Sequence, residues 1–437
     1  MRIVVRSPDP RGARRAQELL AAAGIEAAAL TGEADAEMIG QGEDIVIVDA
    51  CGAAAAHAAQ IAARAAAARV RPLAIVAGGS WESPPAAGLA AAAPFDAWLA
   101  LDAPPTLLAR QVQAAERMGI AEIERAQRRA TAAAVGVAAP SASGTRRLKS
   151  LYIGAPSPFF LALERMFAAH GGLVTAAFSS FSGFDHLHDE HFDAVVLNGA
   201  ADPATAISLC AALRRNAGLH HLPTMVVTQP NDRATTAAAI ERGAAAVVPE
   251  DAPSEHGLAW VFDSIRRERR RKDAEHELRA LRDRMGDPRT GLFTEPNFEA
   301  HLIRLAEHHH AAGRPLSLVA LRVHCAPGAR TPADAVWRKG FNEVATLASR
   351  LVRDTDCAAA LGRDLIVAAL PATRRKGAQR TAERIAAVGE CTAFAAGEGE
   401  AGPLVFEQSA VELKPGESGR AMLARALEVF VRESATA

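Results

Sequence analysis

Aromatic side chains are scarce in this sequence. They make up 5% of 437 residues and include one tyrosine, Tyr152. That scarcity argues against a groove lined by stacking rings and for α/β packing with small residues on the helix faces. The five cysteines (Cys51, Cys210, Cys325, Cys357, Cys391) are scattered, odd in number and never spaced Cys-x-x-Cys. A reducing cytosol suits them better than a disulfide framework. No uninterrupted apolar run reaches membrane-spanning length, and MRIVVRSPDP lacks the apolar core of a signal peptide. The net charge is −1, which gives no global electrostatic case for nucleic acid or a membrane surface. A cytoplasmic protein is expected.

What is present is length and alternation. A chain of 437 residues suits about three domains of roughly 150 residues. In the first segment, short apolar runs at Ile3–Val5, Ile45–Val48, Leu73–Val76 and Ala97–Ala100 alternate with Ala-rich helical stretches. Pro104 and Pro105 open a long helix toward Arg129. Continuous apolar strands between helices imply a parallel, doubly wound sheet. From Thr131 to Gly144 the chain is rich in Ala, Ser, Gly and Pro and reads as a linker.

The second segment repeats the plan, with strands at Leu151–Ile153, Val195–Leu197, Met225–Val227 and Ala246–Val248. The repeat has a period of about 145 residues, an internal duplication. A polar helix follows from Ala259 to Met285. Its arginine run reads as a solvated connector rather than a nucleic-acid patch, because acidic residues are interspersed and Leu278, Leu281 and Met285 form a helical stripe. A short coiled coil is expected there. The third segment, from Asp287, reads as a helix to about His310, a strand at Leu316–Val323 and a helix from about Asp334 to Val352. A hairpin over Cys357–Leu370 and helices at Lys376–Val388 and Gly419–Val431 complete it. That order suits an α+β domain with a mainly antiparallel sheet.

Four motifs in the third segment carry a resemblance. DPRTGLFTEPNF opens it; Arg353 and Asp356 form Arg-x-x-Asp; Gly362-Arg363-Asp364-Leu365-Ile366 follows after five residues; TAERIAAV supplies Arg384. Together they resemble the diguanylate cyclase, or GGDEF, domain. The whole chain resembles PleD-like response regulators, in which two receiver domains precede a GGDEF domain. The fold class implied is two doubly wound receiver domains, residues 1–139 and 147–284, followed by an α+β nucleotide-cyclase-like domain, residues 285–437.

The resemblance divides the two sites of that domain. A working cyclase holds two metal ions against GTP phosphates with paired carboxylates. Here Arg322 stands where a metal-binding Asp belongs, and APGARTPADAVWRKG replaces the guanine-recognising segment. In the signature turn Asp364 survives, while Arg363, Leu365 and Ile366 depart from the pattern. Loss of catalysis is expected, with no metal. The inhibitory-type site is kept. Arg353 and Arg384 supply guanidinium forks for phosphates or guanine edges, and Asp356 a carboxylate for guanine donors. A bland alternative is an exposed ion pair beside an unrelated arginine; the three positions at family spacing outweigh it. The resemblance therefore implies cyclic di-GMP as ligand, protein partners for recruitment, and a role in bacterial cell-cycle control and regulated proteolysis at a cell pole. Two rivals stand beside this reading: a weak or divergent cyclase, and a ligand-free receiver scaffold.

In the receiver likeness Asp49 matches the phosphoacceptor; it reads equally well as a polar residue ending a buried strand. The acidic pair before it has become Ser7 and Pro8, with Asp9 just beyond; the switch residue matches Ala77 and the fifth-strand lysine matches Leu101. In the second copy the acceptor position is Asn198 and the acidic pair is Gly154-Ala155. An amide takes no phosphate, so this copy reads as an adaptor, and a homodimer through receiver faces is expected. His186-Leu-His188-Asp189-Glu190-His191 approaches a zinc signature without partner ligands, and His308–His310 reads as an exposed helix end.

Overall fold

Fully buried runs rich in Val, Ile and Ala form the centres of the first two sheets. The computed structural model describes residues 2–31, 44–49, 55–68, 71–78, 81, 95–140, 146–251, 254–326, 328–329, 332–392 and 404–434. The first stretch gives β1 (Ile3–Arg6), α1 (Pro10–Ala22), β2 (Ala27–Leu30), β3 (Ile45–Asp49), α2 (Ala55–Ala67), β4 (Leu73–Ala77), β5 (Ala97–Leu99) and α3 (Pro105–Ala134). Next come β6 (Lys149–Ile153), α4 (Pro158–Ala169), β7 (Leu173–Ala177), α5 (Ser180–Asp189), β8 (Ala194–Asn198), α6 (Pro203–Arg215), β9 (Thr224–Thr228), α7 (Arg233–Glu241), β10 (Ala246–Pro249) and α8 (Ser254–Met285).

Both five-stranded sheets are parallel, in the orders β2-β1-β3-β4-β5 and β7-β6-β8-β9-β10. Numbered within each copy, both are 2-1-3-4-5, the flavodoxin-like doubly wound order. The duplication is thus visible in topology. The edge strands β2 and β7 do not stand out in the sequence: AAAL is alanine-rich and LVTAA is interrupted by Thr175, and both are mostly half-buried.

The third stretch gives β11 (Gly286–Asp287), β12 (Leu292–Phe293), α9 (Glu295–Ala312), β13 (Leu316–Cys325), α10 (Asp334–Leu351), β14 (Cys357–Leu361), β15 (Leu365–Pro371), α11 (Arg375–Glu390), β16 (Leu404–Glu412) and α12 (Gly419–Ser434). These build a six-stranded sheet, β11-β12-β14-β15-β13-β16. All its pairings are antiparallel except β12 with β14. β16 was not expected; it pairs with all of β13 from Ser317 to Cys325 although Glu407, Gln408, Ser409 and Glu412 interrupt its apolar pattern. No helix among the described residues is long and apolar enough to cross a membrane.

The chain forms two compact units, Met1–Gly119 with Ser143–Lys272, and Ile120–Ala142 with Asp273–Ala437. Within the first, one apolar cluster runs through both parallel sheets, from Leu99, Leu108 and Met118 to Trp260, Val261 and Ile265. Trp98 and Trp260 meet edge to face at 6.4 Å. The arginines of α8 correct the expectation of a solvated connector. Arg270 donates to Asp96 at 2.9 Å, and Arg269 grips Asp193 through Nε at 2.8 Å and Nη2 at 2.7 Å. Arg267 is 4% exposed, pairs with Asp263 and donates to the Gln111 carbonyl. The run is charged because it clasps buried carboxylates of both copies. The helix-breaking linker expected from Thr131 also begins later, since α3 continues to Ala134.

Asp96 is 2% exposed and accepts from Arg71, from Arg270 and from the Ala74 N–H. Its removal would leave two arginines without their buried counter-charge. Asp96→Ala is expected to cost about 3 kcal/mol of stability. Glu190→Ala, which breaks the exposed pair with Lys149, should leave the melting curve where it was. Thermal unfolding of both variants checks the contrast.

Candidate functional site

The β14–β15 hairpin turns over three residues, Gly362, Arg363 and Asp364. Gly362 sits at φ +61°, the left-handed region that a side chain resists. Asp364 directs its carbonyl to the Val323 N–H at 2.8 Å and its carboxylate to Arg322 Nε at 3.2 Å. Arg322 pairs in register with Leu365 on one side and Glu407 on the other. Its Nη1 donates to the Phe430 carbonyl at 3.3 Å and lies 4.0 Å from Glu407. Glu407 also bonds His324 Nε2 at 3.0 Å. A divalent ion placed at Asp364 would meet a guanidinium already seated on that carboxylate, so these residues do not fit a metal-holding pair. Arg363 turns away to Asp334 at 2.6 Å, and its carbonyl accepts from the Trp337 indole.

At the far end of α10, residues 353–356 form a turn closed twice. The Asp356 N–H donates to the Arg353 carbonyl at 2.9 Å, and the Asp356 carboxylate accepts the Arg353 N–H at 2.9 Å. The exposed ion pair of the bland alternative is therefore not what forms. Arg353 is exposed, but Asp356 is 6% exposed and bonds backbone rather than guanidinium. Arg384, exposed on α11, donates from Nη2 to the Leu351 carbonyl at 2.9 Å. The structure thus brings both guanidinium-bearing residues to the C-terminal end of α10. It turns the carboxylate of Asp356 inward to fix the backbone between them.

Beneath this turn lies a charged group that sequence reasoning missed. Arg128, 0% exposed, donates to Glu124 at 2.8 and 3.1 Å, to the Leu278 carbonyl at 3.2 Å and to the Asp356 carbonyl at 3.2 Å. His301, also fully buried, sits 2.8 Å from the same Glu124 oxygen and 2.9 Å from Thr131 Oγ1. Burial pushes Glu124 up, but His301 and Arg128 outweigh it and hold the carboxyl below its ordinary range. Only the i, i+4 spacing of Glu124 and Arg128 was visible locally; the other partners are remote in sequence.

The two parallel sheets end in polar residues committed to neighbours. Asp49 closes β3 and accepts from Ser7 Oγ at 3.0 Å. Asp9 caps α1 through the Arg11 and Gly12 N–H groups, so it supplies the helix rather than an acidic pair. Asn198 donates to the Ala155 carbonyl and accepts from the Ala200 N–H. Gly154, at φ +137°, permits this approach, because a Cβ there would lie 2.7 Å from Asn198 Cβ. Ala77 and Leu101 are buried in the first sheet's cluster. His186 and His188 stand on the last turn of α5. The expectation for His308–His310 holds at His310, which is exposed on the last turn of α9, and is corrected at His309. His309 is 3% exposed and burial drives it down to about 4, while His308 bonds Gln127 and His310 the Glu417 carbonyl. Among the described residues no group of three or more His, Cys, Asp or Glu could hold a metal.

No protein-family model and no curated protein matches the chain. Solved structures do. The GGDEF domain of DgcB from Caulobacter crescentus, in complex with c-di-GMP, is 20% identical with TM-score 0.28, covering 35% of this chain and 91% of that one. A putative response regulator from Chloroflexus aurantiacus is 18% identical with TM-score 0.26, over 28% and 98%. The FimX GGDEF domain from Pseudomonas aeruginosa is 15% identical with TM-score 0.28, over 33% and 90%.

Burial pushes Asp356 up to about 6, against the pull of the Arg353 N–H and charge. The folded chain therefore binds this proton more tightly than the unfolded one, whose carboxyl titrates near 3.9. The associated stability is fully present below pH ~4 and fades as pH rises through ~6, a change of about 3 kcal/mol. Asp356→Asn keeps an acceptor for the Arg353 N–H and removes the titration. The difference between wild-type and variant unfolding free energies should grow between pH ~4 and ~6; parallel curves would refute the assignment.

Proposed function

We propose that this chain is a non-catalytic effector that binds cyclic di-GMP through Arg353 and Arg384. In this reading residues 1–139 and 147–284 are degenerate receiver domains, and residues 285–437 a degenerate GGDEF domain. The observation that carries it is the asymmetry between two sites of one domain. At the hairpin, Arg322 neutralises Asp364 at 3.2 Å, where metal chemistry needs carboxylates. At the end of α10, two exposed arginines flank a turn that a buried carboxylate holds in shape. Cyclic di-GMP carries phosphates and guanine edges, and planar forks recognise both. Asp356 contributes by fixing the backbone that presents Arg353.

Likeness to the PopA-like, non-catalytic members of the two-receiver family extends the proposal. The chain would recruit protein partners at a cell pole, in cell-cycle control and regulated proteolysis, as a homodimer through receiver faces. Asn198 takes no phosphate, and Asp49, bonded to Ser7 without an acidic pair, would take it slowly or not at all.

Two measurements test the core of the reading. Incubation with GTP and Mg²⁺ or Mn²⁺ should yield no cyclic di-GMP above a no-protein control; product that disappears in Asp364→Ala would make the chain a cyclase. Calorimetric titration with cyclic di-GMP should show binding that Arg353→Ala weakens about tenfold or more, with a smaller loss in Arg384→Ala. Unchanged affinity in Arg353→Ala, or a larger loss in Arg363→Ala, would move the ligand elsewhere.

A further inference from the structure

We propose that Arg128 is a positioning residue for the turn of residues 353–356, coupling ligand occupancy there to the order of the helical segment 120–134. The inference rests on the reading of that turn as a cyclic di-GMP site.

The geometry is specific to a guanidinium. One planar group bridges three acceptors on three separate stretches of chain: Glu124 Oε1, the Leu278 carbonyl and the Asp356 carbonyl. Its carbon also lies 5.2 Å from the Phe293 ring centroid, and the other side of that carboxylate oxygen is taken by His301. Asp356 is therefore held at every polar end. Arg128 takes its carbonyl, and Arg353 takes its N–H and its carboxylate. The turn that presents Arg353 cannot shift without pulling on Arg128.

Arg128 in turn has little freedom. It is 0% exposed, and Glu124 Oε2 has no hydrogen-bond partner among the described residues. A displaced guanidinium would leave that carboxylate further unsatisfied in a dry environment, which is costly. A ligand that favours one arrangement of the turn must then favour the matching arrangement of segment 120–134, and the coupling is reciprocal. Lysine would preserve the positive charge opposite Glu124, but a point charge cannot span the three acceptors.

The test uses the full chain and cyclic di-GMP. Hydrogen exchange of wild-type protein should show added protection in residues 124–132 when the ligand binds. Arg128→Lys should weaken binding about tenfold and lose that protection. In the ligand-free variant the Asp356 N–H should exchange faster. Ligand binding with no change in 120–134, or wild-type affinity in a folded Arg128→Lys, overturns the proposal. Should wild type fail to bind cyclic di-GMP, the ligand reading falls. The bracing is then judged on the Asp356 N–H in ligand-free Arg128→Lys, where unchanged exchange overturns it and faster exchange supports it. If Arg128→Lys does not fold, the wild-type comparison with and without ligand decides alone.

Discussion

A guanidinium that leaves water must find acceptors for its donors, and the sites of this chain are arranged around that requirement. Arg128 and Arg267 are nearly or wholly buried, and each is paired with a carboxylate one helical turn away. Such pairs stabilise little against an apolar alternative, since desolvation offsets much of the attraction. What they supply is register. A guanidinium bonded to one carboxylate in its own helix has donors left over, and here those donors go to main-chain carbonyls: Gln111 for Arg267, Leu278 and Asp356 for Arg128. Apolar packing brings the elements together; the leftover donors select one alignment of them.

The same chemistry separates the two candidate sites of the C-terminal unit. At the hairpin the arginine lies between Asp364 and Glu407, so its charge is met by carboxylates of the protein. At the end of α10 the arginines remain exposed and the carboxylate is the buried member. A site whose charges cancel internally has little left for a polyanion, whereas exposed forks on a braced turn keep their full field for one. Counting charged residues near each motif would not distinguish the two.

Sequence reading reached the parts of the fold governed by local pattern. The central strands were legible because parallel strands covered on both faces must be continuously apolar, as Ile45–Val48 and Val195–Leu197 are. β2, β7 and β16 were not: AAAL is alanine-rich, Thr175 interrupts LVTAA, and Glu407, Gln408 and Ser409 interrupt β16. Arg353, Asp356 and Arg384 were singled out by the family resemblance; in the structure the two arginines lie at one end of α10 and the Asp356 carboxylate turns inward. The bracing of the turn was illegible, since the Asp356 carbonyl is held by Arg128, which lies 228 positions away. For the same reason the arginines of α8 read as solvated: Asp96 and Asp193, which bind them, are 174 and 76 residues distant.

These misreadings share a cause with bearing on the function. Local sequence reports whether a side chain is able to carry charge; the tertiary fold decides whether the charge is turned to a partner or to solvent. At position 322 one arginine meets Asp364, Glu407 and the Phe430 carbonyl at once. The arginine thereby ties the hairpin to the strands on either side of it. The turn at Arg353 is instead braced by backbone bonds, and the Arg353 side chain stays exposed.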